Sequence, residues 1–120
     1  MILMKSIKIS IIVLFAIFAF TSCISNKPAS FVIADSKLYE ASLFRQHCAI
    51  CHGPEANGRT RDNNAKVPSL RTGPFKMQTE AAIQNQITNG GNGMPPFRDQ
   101  LSQREINQMT EFVYRDLRGN

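Results

Sequence analysis

Two cysteines and a histidine lie within five consecutive residues, Cys48-Ala49-Ile50-Cys51-His52. On a helical turn, residues three positions apart project from nearly the same face, so Cys48 and Cys51 can both reach one planar ligand. The C-x-x-C-H spacing is typical of covalent attachment of a c-type haem, in which each thiol forms a thioether with one vinyl group of the porphyrin. His52 would then bind the haem iron through its imidazole.

Three other kinds of site share the C-x-x-C spacing. A thioredoxin-type redox pair needs a βαβ context, and the sequence has no strand-rich pattern. A closed structural zinc site needs four nitrogen or sulfur ligands, whereas the other His and Cys of the chain are His47 and Cys23. A disulfide across so short a loop would add little stability. We therefore interpret the motif as a haem attachment site.

The N-terminus has the three parts of a secretory signal peptide. Lys5 and Lys8 form a basic region, an apolar run over residues 9–20 is broken only by Ser10, and Thr21-Ser22-Cys23 is a small-residue cleavage zone. The apolar run is shorter than the ~20 residues that span a bilayer, which argues against a retained transmembrane anchor.

Cys23 lies where a bacterial lipoprotein has its diacylated cysteine. Phe20-Thr21-Ser22-Cys23 resembles a lipobox, although Phe20 stands where Leu is usual. We predict a signal peptide over residues 1–22, a lipidated tether over 23–35 and one domain over 36–120. The protein would then be exported to the periplasmic side and anchored in the membrane as a lipoprotein. Plain secretion, with Cys23 as an unpaired thiol, is the alternative.

Apolar periodicity and capping residues predict three helices, over residues 37–51, 80–88 and 102–118. Asp35 or Ser36 would cap the first, Thr79 would cap the second, and Ser102 with Glu105 would form a capping box on the third. These helices define an all-α domain with irregular connections.

The connection over residues 55–76 has little regular signal and several Gly, Pro and Asn residues. A loop of this length is unusual in a compact domain unless it has a function, and wrapping a large ligand is one such function. Pro68-Ser69-Leu70 would form a rigid turn that places Leu70 against the porphyrin. The alternative is a surface loop without ligand contact.

Met94 lies between Gly93 and the pair Pro95-Pro96, outside any helical stripe. A methionine in such a loop is placed to present its thioether. Met109 instead fits the apolar stripe of the last helix, where methionine usually packs in the core, and Met77 lies at a helix start as a second choice.

Over residues 37–120 these features resemble the small monohaem class I c-type cytochromes. Leu43-Phe44-x-x-x-Cys48-x-x-Cys51-His52-Gly53 resembles the family's first helix and haem site, Pro68 and Leu70 its haem-packing turn, Gly93-Met94-Pro95 its sixth-ligand loop, and residues 105–117 its last helix. The resemblance implies a cytochrome c fold with three to five short helices around one covalent haem c. It also implies His52 and Met94 as the axial iron ligands.

Glu40 departs from the family's pattern. The family usually has glycine near this position, where the first helix crosses an aromatic residue of the last helix, here Phe112. Either the crossing is shifted by one residue onto Ala41, or the two helices cross less closely.

Two filled axial positions leave no open coordination site for a substrate, which predicts one-electron transfer rather than catalysis. The expected partners are redox proteins at the membrane, namely a dehydrogenase, an oxidase or a reductase, and no nucleic acid. The protein would act as a monomer or as a subunit of a larger complex. The alternative is a haem enzyme or a gas or redox sensor with a labile or absent sixth ligand.

Basic residues are frequent around the predicted haem site and include Arg45, Arg59, Arg61, Lys66, Arg71 and Lys76. They would steer an acidic redox partner toward the domain. Arg59, Arg61 or Arg71 could instead pair with a haem propionate, and an arginine beside an open iron would favour the enzyme alternative.

Overall fold

The structure is a computed structural model and describes residues 31–119. The predicted signal peptide, Cys23 and most of the predicted tether lie outside the described residues. The elements are α1 (Tyr39–His47), α2 (Ala49–His52), β1 (Arg59–Thr60), β2 (Lys66–Val67), α3 (Glu80–Asn89), α4 (Gln103–Glu111) and a π-helical segment (Phe112–Leu117) that continues α4. Within residues 31–119, no helix is long and apolar enough to cross a bilayer.

The single helix predicted over residues 37–51 is divided at Cys48 into α1 and α2. Cys48 has φ −112°, outside the usual helical range, although its N–H still donates to the Phe44 carbonyl at 2.9 Å. The helix also begins later than predicted, with Leu38 as the N-cap and no side-chain cap. Neither Asp35 nor Ser36 is the cap, because the helix begins only after Leu38 and the Ser36 hydroxyl instead accepts a hydrogen bond from the Leu38 N–H at 3.2 Å.

The caps predicted for the other two helices are confirmed. The Thr79 hydroxyl accepts a hydrogen bond from the Ala82 N–H, and Ser102 and Glu105 form a complete capping box on α4. The prediction of one α-helix to residue 118 is wrong in its last part, because the backbone widens to π-helical bonding from Phe112 onward.

The long connection predicted as irregular contains a small hairpin. Arg59 pairs with Val67 and Thr60 with Lys66 in antiparallel register, and the Arg61 N–H extends the ladder to the Ala65 carbonyl. A pair of two-residue strands in so polar a segment has no sequence signal strong enough to predict it.

The core forms where α1 crosses the end of α4 and the π-helical segment. Phe44 and Phe112 are fully buried, with ring centroids 6.2 Å apart. Ala41 is also fully buried, whereas Glu40 stays partly exposed and accepts a hydrogen bond from the Gln108 side chain at 3.3 Å. The burial of Ala41 favours the first of the two alternatives, in which the crossing is shifted by one residue from Glu40.

Residues 31–36, which we call the N-terminal strap, pack on this core. Ile33 is fully buried, and the Phe31 ring meets the Phe112 ring edge-on at 5.3 Å. The Glu55 carboxylate accepts the N–H groups of Ile33 and Ala34 at 2.9 and 2.8 Å. Strap carbonyls in turn accept hydrogen bonds from the guanidinium groups of Arg45 and Arg71. The part of the predicted tether that the structure describes is thus held against the domain.

Candidate haem site

Residues 48–52, which we call the attachment turn, carry both thiols and the imidazole. Cys48 and Cys51 are half-buried and free of disulfide bonding. At 100° per residue, Cys48, Cys51 and His52 fall on one side of the turn and Ile50 on the other. Burial, with a contribution from Cys51, raises the pKa of the Cys48 thiol to about 12. The Cys48 thiol is therefore protonated and uncharged at neutral pH.

The second nitrogen of His52 is held by the loop that follows α2. Nδ1 lies 3.4 Å from the Pro68 carbonyl oxygen. Because a carbonyl only accepts, this bond requires the proton on Nδ1 and leaves the Nε2 lone pair free for a metal. Burial lowers the pKa of His52, and the Pro68 carbonyl only partly opposes this. The imidazole is thus neutral, and its Nε2 carries the lone pair that a metal ligand requires.

Met94 lies in a tight loop between α3 and α4. Gly91 and Met94 exchange two backbone hydrogen bonds of 2.9 and 3.0 Å. Gly90, with φ +70°, closes the loop so tightly that a Cβ there would lie 2.5 Å from the Met94 carbonyl oxygen. This position requires glycine, and the closed loop fixes the path of the backbone on which the thioether is mounted.

A porphyrin fits the side chains at this site. Cys48, Leu70, Met77 and Met94 pack on the core but remain only partly buried, so each has apolar surface that a flat apolar ligand would cover. Two thiols and a neutral imidazole on one turn match the two thioethers and the first axial ligand of a c-type haem. When bound, the haem would supply a one-electron iron couple that no side chain here can supply.

The other kinds of site fit less well. In the described part of the chain, no three His, Cys, Asp or Glu side chains gather as a metal cluster. The strands found between residues 31 and 119 form one two-stranded antiparallel sheet, which lacks the βαβ unit of a thioredoxin-type site.

Comparison with known proteins agrees with this geometry. Residues 40–113 match the family model described as cytochrome c oxidase, cbb3-type, subunit III. The chain is 32% identical over 106 residues to cytochrome c6 of Nostoc sp., an alignment that covers 88% of this chain and 90% of the relative. It is 31% identical over 100 residues to cytochrome c6 of Gracilaria tenuistipitata, covering 83% of this chain and 90% of that protein. A cytochrome c6-like protein of Nostoc sp. is 31% identical over 80 residues, covering 67% of this chain and 70% of the relative.

This chain belongs to the cytochrome c family. It is a small monohaem c-type cytochrome that carries one covalent haem c and transfers electrons. The sequence-based predictions of the family, the cofactor and the helical fold are confirmed, as is the prediction that the protein is an electron carrier rather than an enzyme.

The three candidate methionines of the cytochrome occupy different environments. Met109 is 1% exposed and belongs to the core of α4, as its helical stripe predicted. Met77 is half-buried, and its carbonyl accepts a 2.6 Å hydrogen bond from Arg118. Met94 lies in the loop closed by Gly90 and is half-buried.

The residues of the predicted haem-packing turn have separate roles. Pro68 is exposed and contributes its carbonyl to His52, whereas Leu70 is half-buried and packs against the core. A Cβ at Gly58 would lie 2.5 Å from the Val67 carbonyl oxygen, so the loop closes on itself just before this turn.

Arg71 is one of the three arginines that the sequence suggests as partners of a haem propionate, but in the structure its guanidinium binds other groups. It binds the Glu55 carboxylate at 3.1 Å, the Glu55 carbonyl, and the Phe31 carbonyl at 2.6 Å. Arg59 donates to the Ile50 carbonyl at 3.0 Å. Arg61 is exposed on the hairpin.

Gln86 contacts the Met94 loop, which the sequence-based prediction does not include. Its Nε2 donates to the Gly91 carbonyl at 2.8 Å and lies 3.8 Å from the Met94 sulfur. Both contacts come from the last turn of α3 and reach into the Met94 loop. An amide on the final turn of a helix, before a Gly-rich loop with a methionine, is the signal that could have identified this residue.

Proposed function

We propose that this cytochrome passes single electrons between redox proteins at the membrane. In this proposal His52 and Met94 are the axial iron ligands, Cys48 and Cys51 hold the haem, and the domain over residues 36–120 is tethered by residues 23–35 through lipidated Cys23. The matched family model is named after an oxidase subunit, so an oxidase is the first partner to test, with the protein as a free carrier or a fixed subunit. A dehydrogenase and a reductase are the other candidates.

The strongest support is the closed loop that carries Met94. Its backbone is fixed by two hydrogen bonds to Gly91, and the Gln86 amide contacts its sulfur. A ligand fixed in this way needs little rearrangement when the iron changes oxidation state. Thioether sulfur is also a soft, neutral ligand that favours ferrous iron and raises the potential relative to a second histidine.

The imidazole of His52 is also held in place by a contact within the protein. The Pro68 carbonyl fixes its orientation, and the lowered pKa keeps it neutral. With both positions filled from the protein, a small substrate has no place at the metal. The arrangement therefore favours electron transfer through the haem edge or its covalent links.

Absorption spectra of the purified oxidised and reduced protein test this proposal. We expect low-spin c-type spectra with a weak sulfur-to-iron charge-transfer band in the oxidised form. Met94→Ala should keep the covalent haem, lose that band and bind carbon monoxide. Met77→Ala is the matched control and should change none of these properties. A band that survives Met94→Ala but disappears in Met77→Ala would overturn the ligand assignment.

A further inference from the structure

Asparagine is followed directly by glycine at three places in the chain. These pairs are Asn57-Gly58, Asn89-Gly90 and Asn92-Gly93. In such a pair the backbone nitrogen of the glycine can attack the side-chain amide of the asparagine, because glycine has no side chain that hinders the approach. The attack requires a glycine nitrogen that is accessible and able to release its proton, and the three pairs differ in this respect.

The glycine nitrogen is held in two of the three pairs. The Gly58 N–H donates to the His52 carbonyl at 2.8 Å, and the Gly90 N–H donates to the Gln86 carbonyl at 2.9 Å. A Cβ at either glycine would lie 2.5 Å from a carbonyl oxygen, so the backbone is tightly packed at both positions. The Asn89 side chain is held as well, with hydrogen bonds of 2.8 and 3.1 Å to its two amide atoms. Attack at these pairs requires the local structure to open first.

The third pair lies at the tip of the Met94 loop. Asn92 and Gly93 have φ angles of 52° and 84°, both positive as at the two central positions of a type I′ turn, and Gly91 and Met94 pair on either side of them. Both central residues are exposed, and a Cβ at Gly93 would meet nothing within 4 Å. Between residues 31 and 119, the Gly93 N–H donates to no backbone carbonyl. This glycine nitrogen is therefore the accessible one of the three.

We propose that Asn92 is a site of spontaneous deamidation, and that the modification loosens the loop that carries Met94. The Gly93 nitrogen loses its proton to hydroxide and forms a bond to the side-chain carbonyl carbon of Asn92. The bond from that carbon to the side-chain nitrogen breaks, and the nitrogen leaves as ammonia after taking a proton from water. Water then opens the resulting cyclic imide at one of its two C–N bonds, and it is the only co-reactant.

The two directions of ring opening have different consequences for the loop. Opening at the side-chain carbonyl gives aspartate on an unaltered backbone, which adds one negative charge two residues from Met94. Opening at the main-chain carbonyl gives isoaspartate, in which the chain runs through the side-chain carbon and gains one backbone atom. The two hydrogen bonds between Gly91 and Met94, 2.9 and 3.0 Å long, enclose only two residues, so an added backbone atom misaligns them. Isoaspartate thus removes the contacts that fix the Met94 backbone.

The effect on the iron rests on the proposed function, in which Met94 is the sixth ligand. Isoaspartate should weaken the bond from sulfur to iron and open the sixth position to exogenous ligands. Aspartate should keep this bond and lower the midpoint potential, because a negative charge near the haem stabilises ferric iron. Conversion to isoaspartate would therefore change the electron carrier, slowly and without an enzyme, into a form that binds ligands at its iron.

The first test locates the modification. The ferric holoprotein is kept at mildly alkaline pH, and samples are mapped by peptide mass spectrometry at intervals. Asn92 should convert at least roughly fivefold faster than Asn57 or Asn89, which react only after local opening. The same protein in denaturant is the reference and should convert all three sites at similar rates. Equal rates at the three sites of the folded protein would overturn the proposal, as would an unaltered Asn92 after the denatured protein has converted.

The second test follows the loop with two variants. Asn92→Gly has no amide to react and tolerates the positive φ, so it should keep the sulfur-to-iron charge-transfer band throughout the incubation. Asn92→Asp, freshly prepared, adds the charge on a normal backbone and should keep the band while its midpoint potential falls. The unaltered protein should lose the band and gain carbon monoxide binding in step with its isoaspartate content, measured with an isoaspartyl methyltransferase. Loss of the band in Asn92→Gly at the rate of the unaltered protein would overturn the link to Met94.

The two readouts also separate this inference from the proposed function. Conversion at Asn92 is read from peptide masses and does not depend on which residue binds the iron. A fresh, unaltered protein without the charge-transfer band would overturn Met94 as the ligand, and with it the effect on the iron, whereas the modification site would still be decided by mass.

Discussion

Replacing Glu55 by Ala should lower the free energy of unfolding by about 2–3 kcal/mol, because three hydrogen bonds depend on this one carboxylate. It accepts the N–H groups of Ile33 and Ala34 at 2.9 and 2.8 Å and binds the Arg71 guanidinium at 3.1 Å. Hydrogen bonds to charged groups contribute roughly 1.5–3 kcal/mol each when well buried. The Glu55 side chain is 30% exposed, so water replaces part of each lost bond, and we expect the three losses together to cost about 2–3 kcal/mol rather than the full sum.

Chemical denaturation of the ferric holoprotein, followed by circular dichroism, measures this loss. Glu111→Ala is the matched control. Glu111 also pairs with an arginine, Arg115 at 2.9 Å, but the two side chains are 56% and 58% exposed. Such exposed pairs contribute less than about 0.5 kcal/mol. Hydrogen exchange should show faster exchange of the Ile33 and Ala34 amides in the Glu55 variant alone.

The effect should also depend on pH. Burial alone would raise the pKa of Glu55, but the N–H groups of Ile33 and Ala34 and the Arg71 guanidinium outweigh burial and hold the pKa below its ordinary value of 4.5. A carboxyl whose pKa is depressed by folding stabilises the fold above its unfolded pKa, and this contribution is lost as the pH falls through its folded pKa.

The stability difference between the wild type and Glu55→Gln should therefore be complete at pH 7 and shrink as the pH falls below 4.5. A difference that is the same at pH 7 and pH 3 would refute this reasoning. So would a Glu55→Ala variant that is no less stable than Glu111→Ala.

Two more predictions follow from the site and the N-terminus. Gln86→Leu removes the amide that lies 3.8 Å from the Met94 sulfur, so the sulfur becomes a better electron donor and the midpoint potential should fall in a potentiometric titration. Gln84→Leu, which loses a contact to Asn107 instead, should leave the potential unchanged, and equal shifts in both variants would argue against a specific role for Gln86. Cys23→Ser should release the protein from salt-washed membranes, because two acyl chains give stable anchoring. Retention of that variant in the membrane fraction would contradict lipidation at Cys23.

The parts of the fold that were predictable are those fixed by neighbouring residues. A hydroxyl beside the first N–H groups of a helix acts within three residues, so Thr79 and the Ser102–Glu105 box could be identified from the sequence. The division of the first helix at Cys48 has no local signal, because no Gly or Pro interrupts residues 39–52. The apolar periodicity of the last helix likewise gives no sign that its hydrogen bonding changes to the π-helical pattern at Phe112.

In the candidate site too, the residues that the sequence identifies are those marked by their immediate neighbours. Cys48, Cys51 and His52 form one motif, and Met94 is set apart by its Gly and Pro neighbours. Arg71 could not be placed, because its contacts lie 16 and 40 residues away along the chain. Its charge suggests a contact with a haem propionate or with a redox partner, whereas in the structure its guanidinium binds the Phe31 carbonyl of the strap.

If Cys23 is lipidated, the strap would also set how far the cytochrome can reach from the bilayer. Eight residue steps separate Cys23 from Phe31, and a chain of that length spans at most roughly 28 Å. If the contacts of Glu55, Arg45 and Arg71 with the strap were lost together with the packing of its apolar side chains, the first fixed residue would be Leu38, and the span from Cys23 would be at most roughly 50 Å. The contacts of the strap would therefore decide whether the domain stays close to the bilayer or reaches partners farther out.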